Sequence, residues 1–248
     1  MTYCLAMRLD EGLLFMSDTR TNAGVDNVST YRKLHVFRPA DDRLFVLQSA
    51  GSLATTHQVL DQMTQDLSGS GDSLTTVGHL YEAALYLGEL NTRAAKRHEE
   101  TLGVNATATF ILGGQVGTDP ADLLLVYPEG NYIRVSEDRP FLQIGEAKYG
   151  KAWLDLAVRS QADLRTAAKI ALSSMISTAL ANLSVGPPYD LGIYEPGSYR
   201  LLHARIDGDS PYLTRLSDTW REHMLAAAGV LPDLEPGDVT VLTPDHGG

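Results

Sequence analysis

Two short, almost wholly apolar runs open the chain. The runs Thr2-Tyr-Cys-Leu-Ala-Met-Arg8 and Leu13-Leu-Phe-Met-Ser17 flank a turn at Asp10-Glu-Gly12 and predict a β-hairpin. The return strand carries Asp18 back toward the chain start. The stretch Ser17-Asp-Thr-Arg-Thr-Asn-Ala-Gly24 holds too many turn formers to be predicted as strand. A short strand, Arg32-Lys-Leu-His-Val-Phe37, follows with Lys33 at its beginning. Thr2, Asp18 and Lys33 are thus each placed at a strand end, where three ends can meet at one edge of a sheet.

A turn at Pro39-Ala-Asp-Asp42 leads into a strand over 43–48. From Leu53 the period turns helical, with Leu53, His57, Leu60, Met63 or Thr64, and Leu67 on one face. A second helix over 77–96 is marked by Val77, Leu80, Ala84, Leu87 and Asn91. Strands are then predicted over 107–112, 123–127, 132–135 and 141–144 as an antiparallel meander, helices over 151–158 and 164–183, and a closing hairpin over 191–194 and 199–206. This succession predicts an α+β fold: two stacked antiparallel sheets flanked by helix pairs, a four-layer αββα sandwich. An added C-terminal helix over 211–228 shows Leu213, Leu216, Trp220, Met224 and Ala227 or Ala228 on one face, and a Pro-, Gly- and Asp-rich tail ends the chain. We read 1–210 as one domain and 211–248 as its extension.

Composition narrows the partners. With 20 Lys and Arg against 31 Asp and Glu, the net charge is −11, which disfavours nucleic acid. The single cysteine, Cys4, excludes an intramolecular disulfide and suits a reducing compartment. It reads as a small buried residue on the strand face of Thr2 and Ala6. There is no signal-like start and no apolar run of membrane-spanning length, so the expectation is a cytoplasmic protein without membrane contact. His35, His57 and His79 lack metal spacing, and Gly113-Gly114 lacks the rest of a phosphate loop; no metal or cofactor is expected.

The chemistry concentrates at the start. A small residue after Met1 is the condition for methionine trimming, which would make Thr2 the N-terminus. Its α-amino group, with an unperturbed pKa of roughly 7.7 to 8.0, would then serve as base to its own hydroxyl. Lys33 near that hydroxyl would ease formation of the alkoxide, and Asp18 would hold Lys33 charged and in place. Read singly, Lys33 is equally a solvated strand-end lysine and Asp18 a turn aspartate.

The N-terminal threonine, the Ser17-Asp-x-Arg-x-x-Ala-Gly24 block and the following lysine resemble a proteasome-type β subunit of the N-terminal-nucleophile hydrolases. Met-Thr-Tyr-Cys, Arg32-Lys-Leu-His-Val-Phe37 and Asn182-Leu-Ser-Val-Gly-Pro-Pro-Tyr-Asp190 are most similar to Anbu, the bacterial ancestral-β-subunit family. The resemblance implies the four-layer fold and a threonine-type peptidase acting on peptide or amide substrates. It makes Thr2, Asp18 and Lys33 catalytic, gives the oxyanion hole to the Gly51 N–H, and has Asn22 and Leu53 bind an extended peptide through their backbones. Glu146 and Asn182 stand where β subunits carry Ser and Asp; with Ser184 they are assigned as modulators. The resemblance also implies a homo-oligomer, a ring or helical stack enclosing the sites, and leaves room for an unidentified unfoldase. The helix over 77–96 fits a second buried contact, since Leu80, Tyr81, Leu85, Tyr86, Leu87 and Leu90 span a wide arc, unless the helix over 211–228 covers it. Two other functions stay open: an amidase on a small or ligated-peptide substrate, and a peptide-binding assembly protein without catalysis.

Overall fold

Period-two alternation sorts the strand side chains onto two faces. In this protein the central strands of both sheets are covered on both faces, while the edge strands Tyr132–Arg134 and Leu201–Ile206 are largely exposed. The computed structural model describes residues 2–22, 28–103, 106–238 and 240. Met1, Ala23 and Gly24 of the N-terminal motif and residues 241–248 of the tail lie outside them. The first hairpin is β1 (Tyr3–Leu9) and β2 (Gly12–Asp18). A small ribbon follows, β3 (Arg20–Asn22) with β4 (Val28–Thr30), and then β5 (Leu34–Ala40) and β6 (Arg43–Gly51). Helices α1 (Leu53–Asp66) and α2 (Leu80–Leu102) precede β7 (Ala108–Val116), β8 (Asp122–Val126), β9 (Tyr132–Arg134) and β10 (Phe141–Gly145). Helices α3 (Lys148–Ala157) and α4 (Leu164–Ala181), the hairpin β11 (Tyr189–Tyr194) and β12 (Leu201–Ile206), and α5 (Pro211–Gly229) complete the order.

The strands form two five-stranded antiparallel sheets, ordered β10-β1-β2-β11-β12 and β5-β6-β7-β8-β9. Cys4, Ala6 and Phe15 from the first sheet meet Leu34, Val46 and Ile111 from the second in the layer between them. Tyr3, Leu5, Met7, Leu14 and Met16 face α3 and α4, while Phe45, Leu47, Phe110 and Leu112 face α1 and α2. This is the expected four-layer sandwich. Gly113 serves its packing: a Cβ there would sit 2.6 Å from Phe15 Cζ and 2.5 Å from Leu123 Cδ2.

Four local expectations change. Residues 20–22 are strand after all, because β4 supplies the partner that turn-rich composition hides. The strand over 141–144 leaves the meander and pairs with β1 in the other sheet. The buried face of α1 is Thr55, Thr56, Val59 and Met63, whereas Leu53 lies 37 % exposed. Both threonine hydroxyls donate to carbonyls, Thr55 to Ala106 and Thr56 to Ser52, and this lets them be buried at little cost. Finally, α5 covers the other helix pair, not α2. Leu213 is buried there, the Trp220 ring lies 4.7 Å from that of Trp153, and Trp220 Nε1 donates to Ser177 Oγ. The second half of α5 is exposed, Met224 at 54 %. No helix among the described residues is long and apolar enough to cross a membrane.

Candidate active site

Main-chain pairing with β10 fixes the position of Thr2. Tyr3 stands opposite Gly145 in the β1–β10 register, and the Thr2 carbonyl accepts the Glu146 N–H at 2.7 Å. Gly145 has φ of +82°, and a Cβ on it would lie 2.0 Å from the Thr2 oxygen, so no other residue fits against the chain start.

One carboxylate oxygen collects the next contacts. Asp18, at the end of β2, accepts the Tyr3 N–H at 2.9 Å and the Lys33 ammonium at 2.7 Å on the same Oδ1. Lys33 Nζ also donates to the Arg20 carbonyl at 2.7 Å. Asp18 is fully buried and Lys33 only 5 % exposed. Burial pushes the Asp18 carboxyl above the usual carboxylate range. The Lys33 charge and hydrogen bond, then the Tyr3 and Gly186 main chain, pull it back. Lys33 does not share a sheet with Thr2 and Asp18, as expected from strand ends; it precedes β5 and reaches across the sandwich from the second sheet. The edge-to-edge approach of two stacked layers, which no period reveals, makes that reach possible.

Thr2, Lys33, Gly51, Leu53 and Glu146 line one pocket of about 500 Å³. Gly51 closes β6 with φ of +114°, and a Cβ there would meet the Thr107 carbonyl at 2.5 Å. Directly after it, Ser52 caps α1, its Oγ accepting the Thr55 N–H. The pocket is also lined by Thr21, Tyr31, Arg32, Ser49, Ala50 and Thr56, which the sequence analysis did not single out. Tyr31 and Arg32 directly precede Lys33, and Ser49 and Ala50 directly precede Gly51, so adjacency was the available signal. Asn22 ends β3, next to the pocket-lining Thr21, and only its backbone is described.

The three residues assigned as modulators form one hydrogen-bonded string. Asn182 Nδ2 donates to Glu146 Oε2 at 2.9 Å, and Ser184 N donates to Asn182 Oδ1 at 3.0 Å. Only Glu146 reaches the Thr2 pocket. The two motif stretches, far apart in sequence, also touch: Thr19 Oγ1 donates to the Pro188 carbonyl and Arg20 Nη1 to the Leu183 carbonyl. Arg20 is therefore tied to the loop after α4. Cys4 lies buried between the sheets, its thiol 3.8 Å from the Ser49 carbonyl, and burial pushes its pKa up strongly.

No protein-family model matches the chain, nor does any curated protein. Solved structures do. "Anbu (ancestral beta-subunit)" from Yersinia bercovieri is 41% identical, with a TM-score of 0.88, covering 94% of this chain and 100% of that one. An Anbu mutant from Hyphomicrobium sp. strain MC1 is also 41% identical, with a TM-score of 0.89 over 95% of this chain and 100% of that one. The helical assembly of the Anbu complex from Pseudomonas aeruginosa gives 37% identity and a TM-score of 0.90, covering 95% of this chain and 99% of that one. Likeness at this identity over nearly the whole of both chains, on the fold and pocket described above, means that this chain belongs to the Anbu family of ancestral, proteasome-type β subunits.

Proposed function

We propose that this chain is an N-terminal threonine peptidase or amide hydrolase that encloses its own sites by assembly. The observation that carries the reading is the shared Asp18 oxygen. It ties Lys33 to the residue next to Thr2, in a pocket that Thr2, Lys33 and Gly51 line together. With Thr2 as the first residue, its Oγ bonds to the carbonyl carbon of the substrate while its proton passes to the Thr2 amine through water. The carbonyl oxygen takes the negative charge toward the Gly51 N–H, and Lys33 stabilises the charge developing at Oγ. Collapse expels the amine, which takes the proton from the Thr2 ammonium. Water then hydrolyses the ester. Asn22 and Leu53 lend backbone contacts to an extended substrate, and Glu146, with Asn182 and Ser184 behind it, tunes the Thr2 amine. Residues 1–210 form the hydrolase domain in this reading, with 211–248 as its extension.

The Pseudomonas aeruginosa relative forms a helical assembly, and we extend homo-oligomerisation, as a ring or a helix, to this chain. The half-exposed α5 and the 47 % exposed Leu85 on α2 offer apolar surface for it. An unfoldase that feeds the enclosed sites fits the same reading, as does a cytoplasmic location. The test uses protein whose intact mass shows Thr2 first, treated with a peptide electrophile. One adduct per chain, mapped to Thr2 and absent from folded Thr2→Ala, is expected. An adduct on Cys4 or on any other residue, or none at all, overturns the assignment. Light scattering that finds a single-chain mass at every concentration removes the enclosure and turns the reading to an amidase on small substrates.

A further inference from the structure

The pocket at Thr2 carries a charge that the proposed reaction does not use. Arg32 lines it with its side chain exposed, and among the described residues its guanidinium makes no hydrogen bond or ion pair. Its neighbours are all engaged. Lys33 is held by Asp18, and Arg20 donates to the Leu183 carbonyl. The one carboxylate among the described lining residues, Glu146, follows β10 on the Thr2 wall, where Asn182 binds it. Arg32 belongs to the opposite wall, with Lys33, whose carbonyl accepts the Ser49 N–H at 3.1 Å.

That wall is cationic beyond Arg32. Helix α1 begins on it at Leu53, and its first turn holds no acidic residue to offset the positive end of the helix. The field reaches outward: burial and then the Arg32 charge push the nearby His35 imidazole down to about 4. In a chain of net charge −11, an unpaired arginine lining a concave site is a local exception, and the concave shape focuses its attraction for an anion. Its planar fork matches a carboxylate in two-point geometry. Ala50, Thr56 and Leu53 complete the wall and offer no competing charge.

We propose that the pocket selects substrates with an aspartate or glutamate at the residue whose carbonyl Thr2 attacks, and that Arg32 is the residue that reads this acid. The inference rests on the hydrolase reading and adds the substrate class to it. It is tested with three peptide vinyl sulfones that differ only in the side chain beside the reactive group: aspartate, leucine or lysine. The rate of mass increase on Thr2 is followed for each. The aspartyl probe is expected to react about tenfold or more faster than the leucyl probe, with the lysyl probe slowest. In Arg32→Ala the aspartyl-to-leucyl ratio falls to about one, and in Arg32→Glu the order of the aspartyl and lysyl probes inverts. These ratios are taken within each variant, so partial loss of folded protein does not alter them. Labelling of Thr2 without acid preference, or a preference that survives Arg32→Ala, overturns this inference and leaves the hydrolase reading standing. Failure of all three probes to label Thr2 overturns the hydrolase reading and this inference with it.

Discussion

Asp18 and Asp190 are near neighbours on adjacent strands, Asp18 opposite Tyr189 and Asp190 opposite Ser17, and both are buried. Their cations differ. Arg205 grips Asp190 with both arms, Nε at 2.7 Å and Nη2 at 3.0 Å, while its own side chain stays 43% exposed. Lys33 meets Asp18 through one oxygen, already shared with the Tyr3 N–H, and its side chain is only 7% exposed. The arginine pair keeps half of its charge in water and satisfies both carboxylate oxygens, so it behaves as a clamp. In the lysine pair both charges are dry and the bonding is lopsided, which costs stability but keeps a weakly screened cation beside the pocket that Thr2 lines. On the proposed reading, two ion pairs a strand apart divide the tasks of holding the sheet and preparing the site.

The sharpest way to break this division is Lys33→Ala. Thr2 acylation is expected to fall by about 10²–10³ in the folded protein, and Lys33→Ala/Asp18→Ala to be little worse. Stopped-time intact mass measures both; independent, multiplying effects would mean that Asp18 does not work through Lys33. Arg205→Ala should do the reverse. It should destabilise the fold by about 2 kcal/mol in urea titration, below the usual cost of breaking a buried pair because solvent already reaches the guanidinium, and leave the acylation rate at wild-type level. A changed rate would give Asp190 a share in the chemistry.

The acid limb separates the two pairs further. The raised Asp18 pKa means that its charge, and with it the hold on Lys33, is lost at a higher pH than for an ordinary carboxylate. Acylation is therefore expected to decline with falling pH from above the usual carboxylate range. The linked stability has the opposite sign. Between the unfolded and the raised folded pKa the native state binds more protons than the unfolded chain, so this group's contribution weakens as pH rises through that window. Arg205→Ala should retain the acid limb of the rate; its loss there would contradict the assignment to Asp18. The smallest effect is expected from Arg205→Lys, about 1 kcal/mol, because one-point contact replaces the fork. A thermal shift as large as that of Arg205→Ala would show that two-point geometry does all the holding.

The same two pairs show what was legible in the sequence. Thr2, Asp18 and Lys33 could be named because hairpin pairing returns Asp18 to the start and the motif spacing adds Lys33. The arrival of Lys33 from the other sheet could not, since stacking is not written in any period. Asp190 and Arg205 stand directly opposite in β11 and β12. A charge at an inward strand position was the available sign, and it went unread. The threonine face of α1 escaped for a related reason: Thr55 and Thr56 count as polar until their hydroxyl partners are known. The strands β1 and β2 were plain because both are short apolar runs on either side of a turn, and nearly every residue on them is buried.

The peg under Thr2 has a consequence in time. Asp18 and Lys33 leave the ribosome shortly after Thr2, but the Glu146 N–H that holds the Thr2 carbonyl belongs to the far side of β10. Translation at roughly 5–20 residues per second puts on the order of ten seconds between the two. Throughout that interval the chain start has β2 and Asp18 to pair with but not the Glu146 N–H, and a nascent chain that stalls before β10 carries the threonine without the complete pocket. If Thr2 is the nucleophile proposed above, the order of synthesis acts as a safety catch, completing its pocket only when most of the sandwich exists to contain it.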